Sequence, residues 1–294
     1  MVIVNTGSWL WPLKQVYFPT EAELRKLTAR LPYTEHLTIM TTDALINDNP
    51  NLIYKTTVVT TCINLQEDLA AIYGKMDQLC RRMIRKAEKT KDSLMTVKNV
   101  PAAYDDFLTL HNSFVRAKGI VDSLGLISKK QLMQSYAPVS DCWVIYHNSI
   151  PICSHLVIRD PDVKRVRLKF AASARLASRE MGTLAGFMNR YLYWQEIQAY
   201  KAEGFRIYDF GGIGDRSDWL AVKQFKLSFG GYIEERNGYV CSGTLRMICS
   251  RALRGLGGIR ARLSLSKRLQ SLLPQSRRAA HRNDSRSDNV KRIE

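Results

Sequence analysis

Residues 205–231 read FRIYDFGGIGDRSDWLAVKQFKLSFGG, and this stretch decides the fold. Arg206–Phe210 predicts a strand that runs into Gly211-Gly212. Asp218–Phe229 predicts a helix. Glycine tolerates positive φ and close backbone approach, so the pair behind Asp209 is either a turn or an open loop beneath a substrate. Immediately upstream, Gly182–Glu203 has the length and periodicity of a long helix, closed by Gly204 at the expected C-terminal position. Immediately downstream, Gly231–Glu235 and Tyr239–Cys241 flank Asn237-Gly238 and predict a hairpin.

Working outward, Val163–Phe170 alternates Val166, Leu168 and Phe170 with Arg165, Arg167 and Lys169, a strand with one polar face. Cys142–Tyr146 and Ile150–Ile158 form a second hairpin signal around His147-Asn148-Ser149. Ser128–Tyr136 and Pro101–Lys118 read as helices, one behind a serine N-cap and one with proline in its first turn. Leu94–Val97 is a short strand. Gln66–Lys91 reads as one helix, its apolar stripe running from Leu69 to Ile84 and its other side carrying Arg81, Arg82, Arg85, Lys86 and Lys89. From residue 94 to 242 the order is β-α-α-β-β-β-α-β-α-β-β, with no internal repeat. Before it, Thr20 caps a helix at Glu21–Arg30, and Leu52–Asn64 has strand composition.

The 294 residues carry 44 Lys and Arg against 27 Asp and Glu, a formal +17. With 45% hydrophobic residues, wholesale disorder is excluded. The charge points to polyanionic partners. It is concentrated late: from Arg246 onward thirteen basic and three acidic residues leave a net +10. Residues 244–273 interleave leucine and isoleucine with arginine, a basic amphipathic segment suited to peripheral contact with an anionic membrane. Residues 274–294 read as a disordered basic tail. No apolar run reaches membrane-span length, and no basic n-region precedes an apolar core at the amino terminus. The six cysteines lack a Cys-x-x-Cys pair and the five histidines lack metal spacing. Reduced thiols, no metal and a cytoplasmic location, peripheral to the membrane's inner face, are expected.

Three motifs, in order and at matching spacing, carry a resemblance: the basic helix Cys80–Lys89, Tyr208-Asp209-Phe210-Gly211-Gly212, and Phe225-Lys226-Leu227-Ser228-Phe229-Gly230-Gly231. On them the chain resembles the Fem-type peptidyltransferases and the related BioF2-like acyltransferases, over roughly Leu65–Val240. The resemblance implies an α/β (α+β) GNAT-like fold, with a mixed, mostly antiparallel sheet flanked by helices. A truncated first GNAT-like domain at residues 1–65 would precede the acyltransferase domain at 66–243. The implied reaction is attack by an acceptor amine on an activated acyl carbonyl. Donor is either acyl-CoA or aminoacyl-tRNA; acceptor is an amino sugar or a peptidoglycan-type peptide of a cell-envelope precursor. The alternative is a non-catalytic basic protein that binds RNA or a membrane.

Site residues follow from the motifs. By the resemblance, Lys226 lies at the donor site and stabilises the oxyanion. Asp209 holds or deprotonates the amine, or instead caps the following turn. Phe225, Lys223, Arg179 and Gly182 are the expected donor contacts, the last two from Arg179-Glu180-Met181-Gly182-Thr183-Leu184, an echo of the GNAT loop that presents backbone N–H groups to a pyrophosphate. Tyr208, Gly211, Gly212 and Arg167 are the expected substrate contacts. Arg159, Arg165, Arg167 and Lys169 either bind phosphates or form a solvated strand face. Glu196, beside Trp194, is either a base or a solvent-facing carboxylate.

Overall fold

The computed structural model describes residues 1–7, 12–29, 31–43, 49–119, 125–213 and 220–246. Of the basic segment expected at 244–273 only residues 244–246 are described, and the tail expected at 274–294 lies outside the described residues.

Ten strands make one sheet: β1 Val2–Asn5, β2 Leu13–Tyr17, β3 His36–Thr42, β4 Leu52–Asn64, β5 Leu94–Lys98, β6 Ser140–His147, β7 Ile150–Asp160, β8 Arg165–Ser173, β9 Ile207–Gly212 and β10 Tyr232–Ser242. Their spatial order is β1-β2-β3-β10-β4-β9-β8-β7-β6-β5. Only β2 with β3 and β8 with β9 are parallel among the described pairings. The mixed, mostly antiparallel architecture expected from the sequence is therefore present. β4 stands between β9 and β10, so a strand from the first sixty-five residues completes the centre of the sheet.

The β6–β7 turn shows why local sequence suffices there. Asn148 and Ser149 both have positive φ, 50° and 63°, and His147 pairs Ile150 across them. Such a two-residue turn matches the twist of antiparallel strands. Asn237-Gly238 offers the same signal and gives no hairpin. β10 runs straight from Tyr232 to Ser242, paired along β4 and β3 at once. Asn237 faces Thr42 and Tyr239 faces Ile39, so the dipeptide becomes a register slip against β3. Two long partner strands outweigh one local turn preference.

The helices are α1 Glu21–Ala29, α2 Leu69–Lys75, α3 Gln78–Glu88, α4 Pro101–Ala117, α5 Lys129–Gln131 leading into a π-turn at Leu132–Tyr136, α6 Arg179–Ala202 and α7 Leu220–Leu227. The single helix expected over Gln66–Lys91 is two. Met76 is extended, and Asp77 starts afresh as N-cap, its carboxylate accepting from the Cys80 N–H at 2.5 Å. Arg81 Nη1 donates back to the Gly74 and Met76 carbonyls at 2.7 and 2.5 Å. It caps α2 and leaves the solvated basic row to Arg82, Arg85, Lys86 and Lys89, all exposed.

One sheet face packs on α2, α3, α6 and α7 through Ile72, Ile84, Leu192, Ile197 and Phe229 against Tyr208 and Phe210. Each such buried side chain contributes roughly 1.5–3 kcal/mol. The other face packs on α4 and the π-turn, and Val2, Tyr17 and Phe18 of the amino-terminal strands join that same core. The sheet edge thus curls over β8. Five of the six cysteines fall within the described residues, all free and buried.

Gly230 ties the α7–β10 turn to α2. Its φ is +73°, and a Cβ there would lie 2.2 Å from the Lys75 carbonyl oxygen. Gly230→Ala is expected to lose at least about 2 kcal/mol, through positive φ and this clash with backbone. A urea midpoint unchanged from wild type would contradict the contact.

Candidate active site

β8 and β9 pair as parallel strands only at Arg165–Arg167 with Ile207–Asp209. Beyond that register no pairing joins them among the described residues. The chain turns at Gly211, φ +75°, where a Cβ would come 3.0 Å from the Leu168 carbonyl oxygen. Lys226, reaching in from α7, donates to the Gly211 and Gly212 carbonyls at 3.2 and 2.8 Å. The candidate site is this divergence of two parallel strands, with an ammonium group clamped to the peptide groups it frees.

Asp209 anchors the site from within β9. It has no solvent exposure. Its Oδ2 receives Arg165 Nη2 at 2.7 Å and Arg167 Nη1 at 2.6 Å. Its Oδ1 receives the Gly211 N–H at 2.7 Å and the Thr60 hydroxyl. Burial works against the charged form. The Arg167 and Arg165 guanidiniums and these hydrogen bonds outweigh it and bring the pKa down to about 2. A carboxylate so acidic and so fully engaged is a poor base for an amine. The geometry gives Asp209 the work of positioning two guanidiniums and the Gly211 peptide.

The arginines are a correction to the solvated strand face. Arg165 and Arg167 are buried, because β9 and β10 supply carboxylates to meet them. Arg165 Nη2 also reaches Glu234 at 2.5 Å, and Arg236 binds Glu234 and Asp43, each at 2.8 Å. The result is an alternating ladder: Arg167, Asp209, Arg165, Glu234, Arg236, Asp43. Lys169 stands apart from it, 2.8 Å from Gln15 Oε1. Arg159 lies at the far end of β7, paired with Asp141 and Glu203.

Lys226 is itself buried, and its pKa is lowered to about 8. Desolvation is the main cause and Arg167 adds to it, while Asp209 pulls the other way. With two N–H groups on backbone carbonyls, a third proton remains for a ligand. Phe225 beside it packs among Tyr193 and Phe229, with the Arg190 guanidinium 4.7 Å from its ring centre. Lys223 is half-buried and enters no ion pair among the described residues.

Three predicted contacts, Tyr208, Arg179 and Gly182, lie elsewhere, and so does Glu196. Tyr208 points to the helical face, wholly buried, and donates to Glu196 Oε2. Glu196, expected to be a base or solvent-facing, does not face solvent: its Oε1 meets His155 Nδ1 at 2.7 Å inside the core, and His155 Nε2 meets the partly buried Asn189 Oδ1 at 2.8 Å. Arg179 and Gly182 do not form a loop. They are the first turn of α6, where the Ser178 hydroxyl accepts from the Met181 N–H at 3.2 Å and the Ser178 carbonyl takes the Gly182 N–H at 2.9 Å. Glu180 lies over the same helix end. Bonds from its own N–H and from Ser178 hold its carboxyl below the usual range. The anion cradle is largely satisfied from within the chain.

Sequence reasoning missed Thr60 and Glu234. A threonine within a Val/Ile/Thr strand carries no signal. Glu234 looks like any polar residue on an alternating strand. A separate cavity of about 350 Å³ lies on the helical side, floored by Ile63, Ile72 and Phe229 and rimmed by Glu67, Lys75 and Tyr232. None of the predicted site residues lines it. Among the described residues, no helix is long and apolar enough to cross a membrane.

No family model matches the chain, and no curated protein matches it in sequence. Solved structures do resemble it. The C-terminal domain (DUF2156) of a lysylphosphatidylglycerol synthetase candidate from Agrobacterium fabrum aligns with TM-score 0.55 at 12% identity, over 88% of this chain and 87% of that one. FemX aligns with TM-score 0.52 at 10% identity, over 85% and 86%. A conserved protein of unknown function from Bacteroides thetaiotaomicron gives 0.51 at 12% identity, over 82% of each chain. At these identities the likeness shows a shared fold, the Fem- and GNAT-like one expected from the sequence.

Proposed function

We propose that the chain is an acyltransferase that moves an acyl or aminoacyl group from an activated donor to an amine of a cell-envelope precursor. The observation that carries this reading is the parallel β8–β9 pair, opened past Arg167, with Lys226 held at Gly211 and Gly212. An acyl carbonyl placed in such an opening meets a buried cation at short range. The acceptor nitrogen attacks the carbonyl carbon, and the carbonyl electrons move onto oxygen, where the third Lys226 N–H stabilises them. The bond from carbon to the leaving sulfur or oxygen then breaks, and the leaving group takes the proton the amine gives up. One such donor is typically worth about 10²–10³ in rate. No protein nucleophile is needed.

The donor is acyl-CoA or aminoacyl-tRNA. The internally capped start of α6 and the exposed row Arg82, Arg85, Lys86 and Lys89 support the tRNA arm. So does the fold's likeness to a lysylphosphatidylglycerol synthetase domain, whose named product carries an aminoacyl group. The second reading, a non-catalytic basic binding protein on the same fold, draws on the closure of Asp209 and on the +10 stretch that begins at Arg246.

One experiment separates them. Purified protein is offered labelled acetyl-CoA or charged tRNA, with Lys226→Met beside wild type and an amino-sugar or peptide acceptor present. Transfer that falls about 10²–10³-fold in the variant, with binding retained, supports the enzyme. Lys226 is charged below about pH 8, so wild-type kcat/KM is expected to fall as pH rises through 8. Binding of either donor without transfer, indifferent to Lys226, supports the second reading.

A further inference from the structure

The cavity on the helical side stands apart from the strand opening. Its β4 wall, Ile63 and Asn64, pairs with Tyr208 and Ile207 at the start of β9, whereas Gly211 and Gly212 end that strand. Three parts of the chain enclose it: the end of β4, α2 with the turn before it, and the α7–β10 turn. Its volume of about 350 Å³ is that of a small-molecule site, near the lower end of the usual range.

Floor and rim differ in chemistry. Ile63, Ile72 and Phe229 are buried and offer only hydrocarbon. On the rim, Glu67 Oε2 meets Lys75 Nζ at 2.5 Å. The two side chains are 30% and 55% exposed, and an ion pair so open to water holds little free energy. It exchanges readily for the charges of a ligand. Hydrogen-bonding capacity is also left over. Glu67 Oε1 and two of the Lys75 protons have no partner among the described residues. Nor does Asn64 Nδ2, while Asn64 Oδ1 receives the Gln66 N–H at 3.1 Å.

Charge balance selects the ligand. One carboxylate and one ammonium share the rim, so it is neutral. An incoming amine alone would strand Lys75, and an incoming carboxylate alone would strand Glu67. A molecule that carries both charges satisfies both. We infer that this cavity is a binding site for a free α-amino acid with an apolar side chain. Its ammonium group takes Glu67, its carboxylate takes Lys75 and the Asn64 amide, and its side chain lies on Ile63, Ile72 and Phe229. The site goes beyond the transferase reading and is tested without any transfer being measured.

The test is calorimetric titration of the intact protein with leucine, beside leucinamide, isocaproate and glycine. These lack in turn the carboxylate, the amine and the side chain. Saturable leucine binding is expected, with each of the other three weaker by about tenfold or more. Glu67→Gln and Lys75→Met, both at the exposed rim, should each weaken leucine to a similar degree. Thermal unfolding confirms that both variants are folded when measured. No saturation by about 10 mM leucine, an analogue that matches leucine, or wild-type affinity in either variant would each overturn the assignment.

Discussion

Asp209→Asn is expected to lower stability by about 3–5 kcal/mol, the usual loss when one partner is removed from a buried charge cluster. Two guanidiniums, Arg165 and Arg167, would keep their burial and lose their only shared anion. Asparagine still accepts one hydrogen bond, so the effect comes from charge rather than shape. The pH dependence follows with a definite sign. The folded pKa of about 2 lies below the ordinary 3.8, so the carboxylate contributes stability above pH 4 and loses it as pH falls from 4 through 2. Wild type should therefore lose on the order of 2 kcal/mol across that window from this residue, and the variant should be flatter there. Chemical denaturation at pH 2.5, 4 and 7 measures both. Equal slopes for the two proteins would refute the assigned cluster. Asp209 also raises the pKa of Lys226. The asparagine variant should therefore bring the loss of activity to lower pH.

Glu196→Ala carries the other large effect, on the opposite sheet face. Glu196 serves His155 with one oxygen and the Tyr208 hydroxyl with the other, with no solvent in reach. Burial and the Glu196 charge push the Tyr208 phenol well above its ordinary pKa, which keeps it a donor. Alanine would strand both partners in a packed aromatic core, where Tyr193 lies 4.2 Å from His155 and Phe210 lies 5.0 Å from Tyr208. The expected loss is again about 3–5 kcal/mol, a fall in Tm of roughly 10 °C. Glu196→Gln restores an acceptor for one partner and should lose less than half as much. If alanine and glutamine behaved alike, the bonds to His155 and Tyr208 would not be what holds α6 to β9.

The two residues show where sequence stops being readable. Locally determined features were legible: the positive-φ pair Asn148-Ser149, the Ser128 cap of α5 and the end of α6 at Gly204 all act within a few residues. The sheet's composition and the α7 helix followed from periodicity. What failed was decided by partners distant in the chain. Asn237-Gly238 looked like a turn until β3 and β4 took both sides of it. Arg165 and Arg167 looked solvated, because alternation reports which face a side chain is on and not what meets it there. Their carboxylates come from residues 209 and 234. Glu196 was misplaced for the same reason: its partner His155 is forty-one residues away. In the candidate site, Lys226 of one motif meets Gly211 and Gly212 of another, a contact that neither motif specifies alone. Thr60 entered from a strand nearly one hundred and fifty residues earlier.

The insertion of β10 between β3 and β4 has a bearing on how the protein is made. At a ribosome, β3 and β4 emerge well before β10, which alone joins them. Until residues 232–242 arrive, two long strands have an unpaired side in solution, and unpaired strand edges invite association with other chains. Pairings this distant also make for slow closure. A nascent chain stalled before Tyr232 should be a client of holding chaperones, and the release of that dependence should coincide with the appearance of β10 rather than with the helices around it.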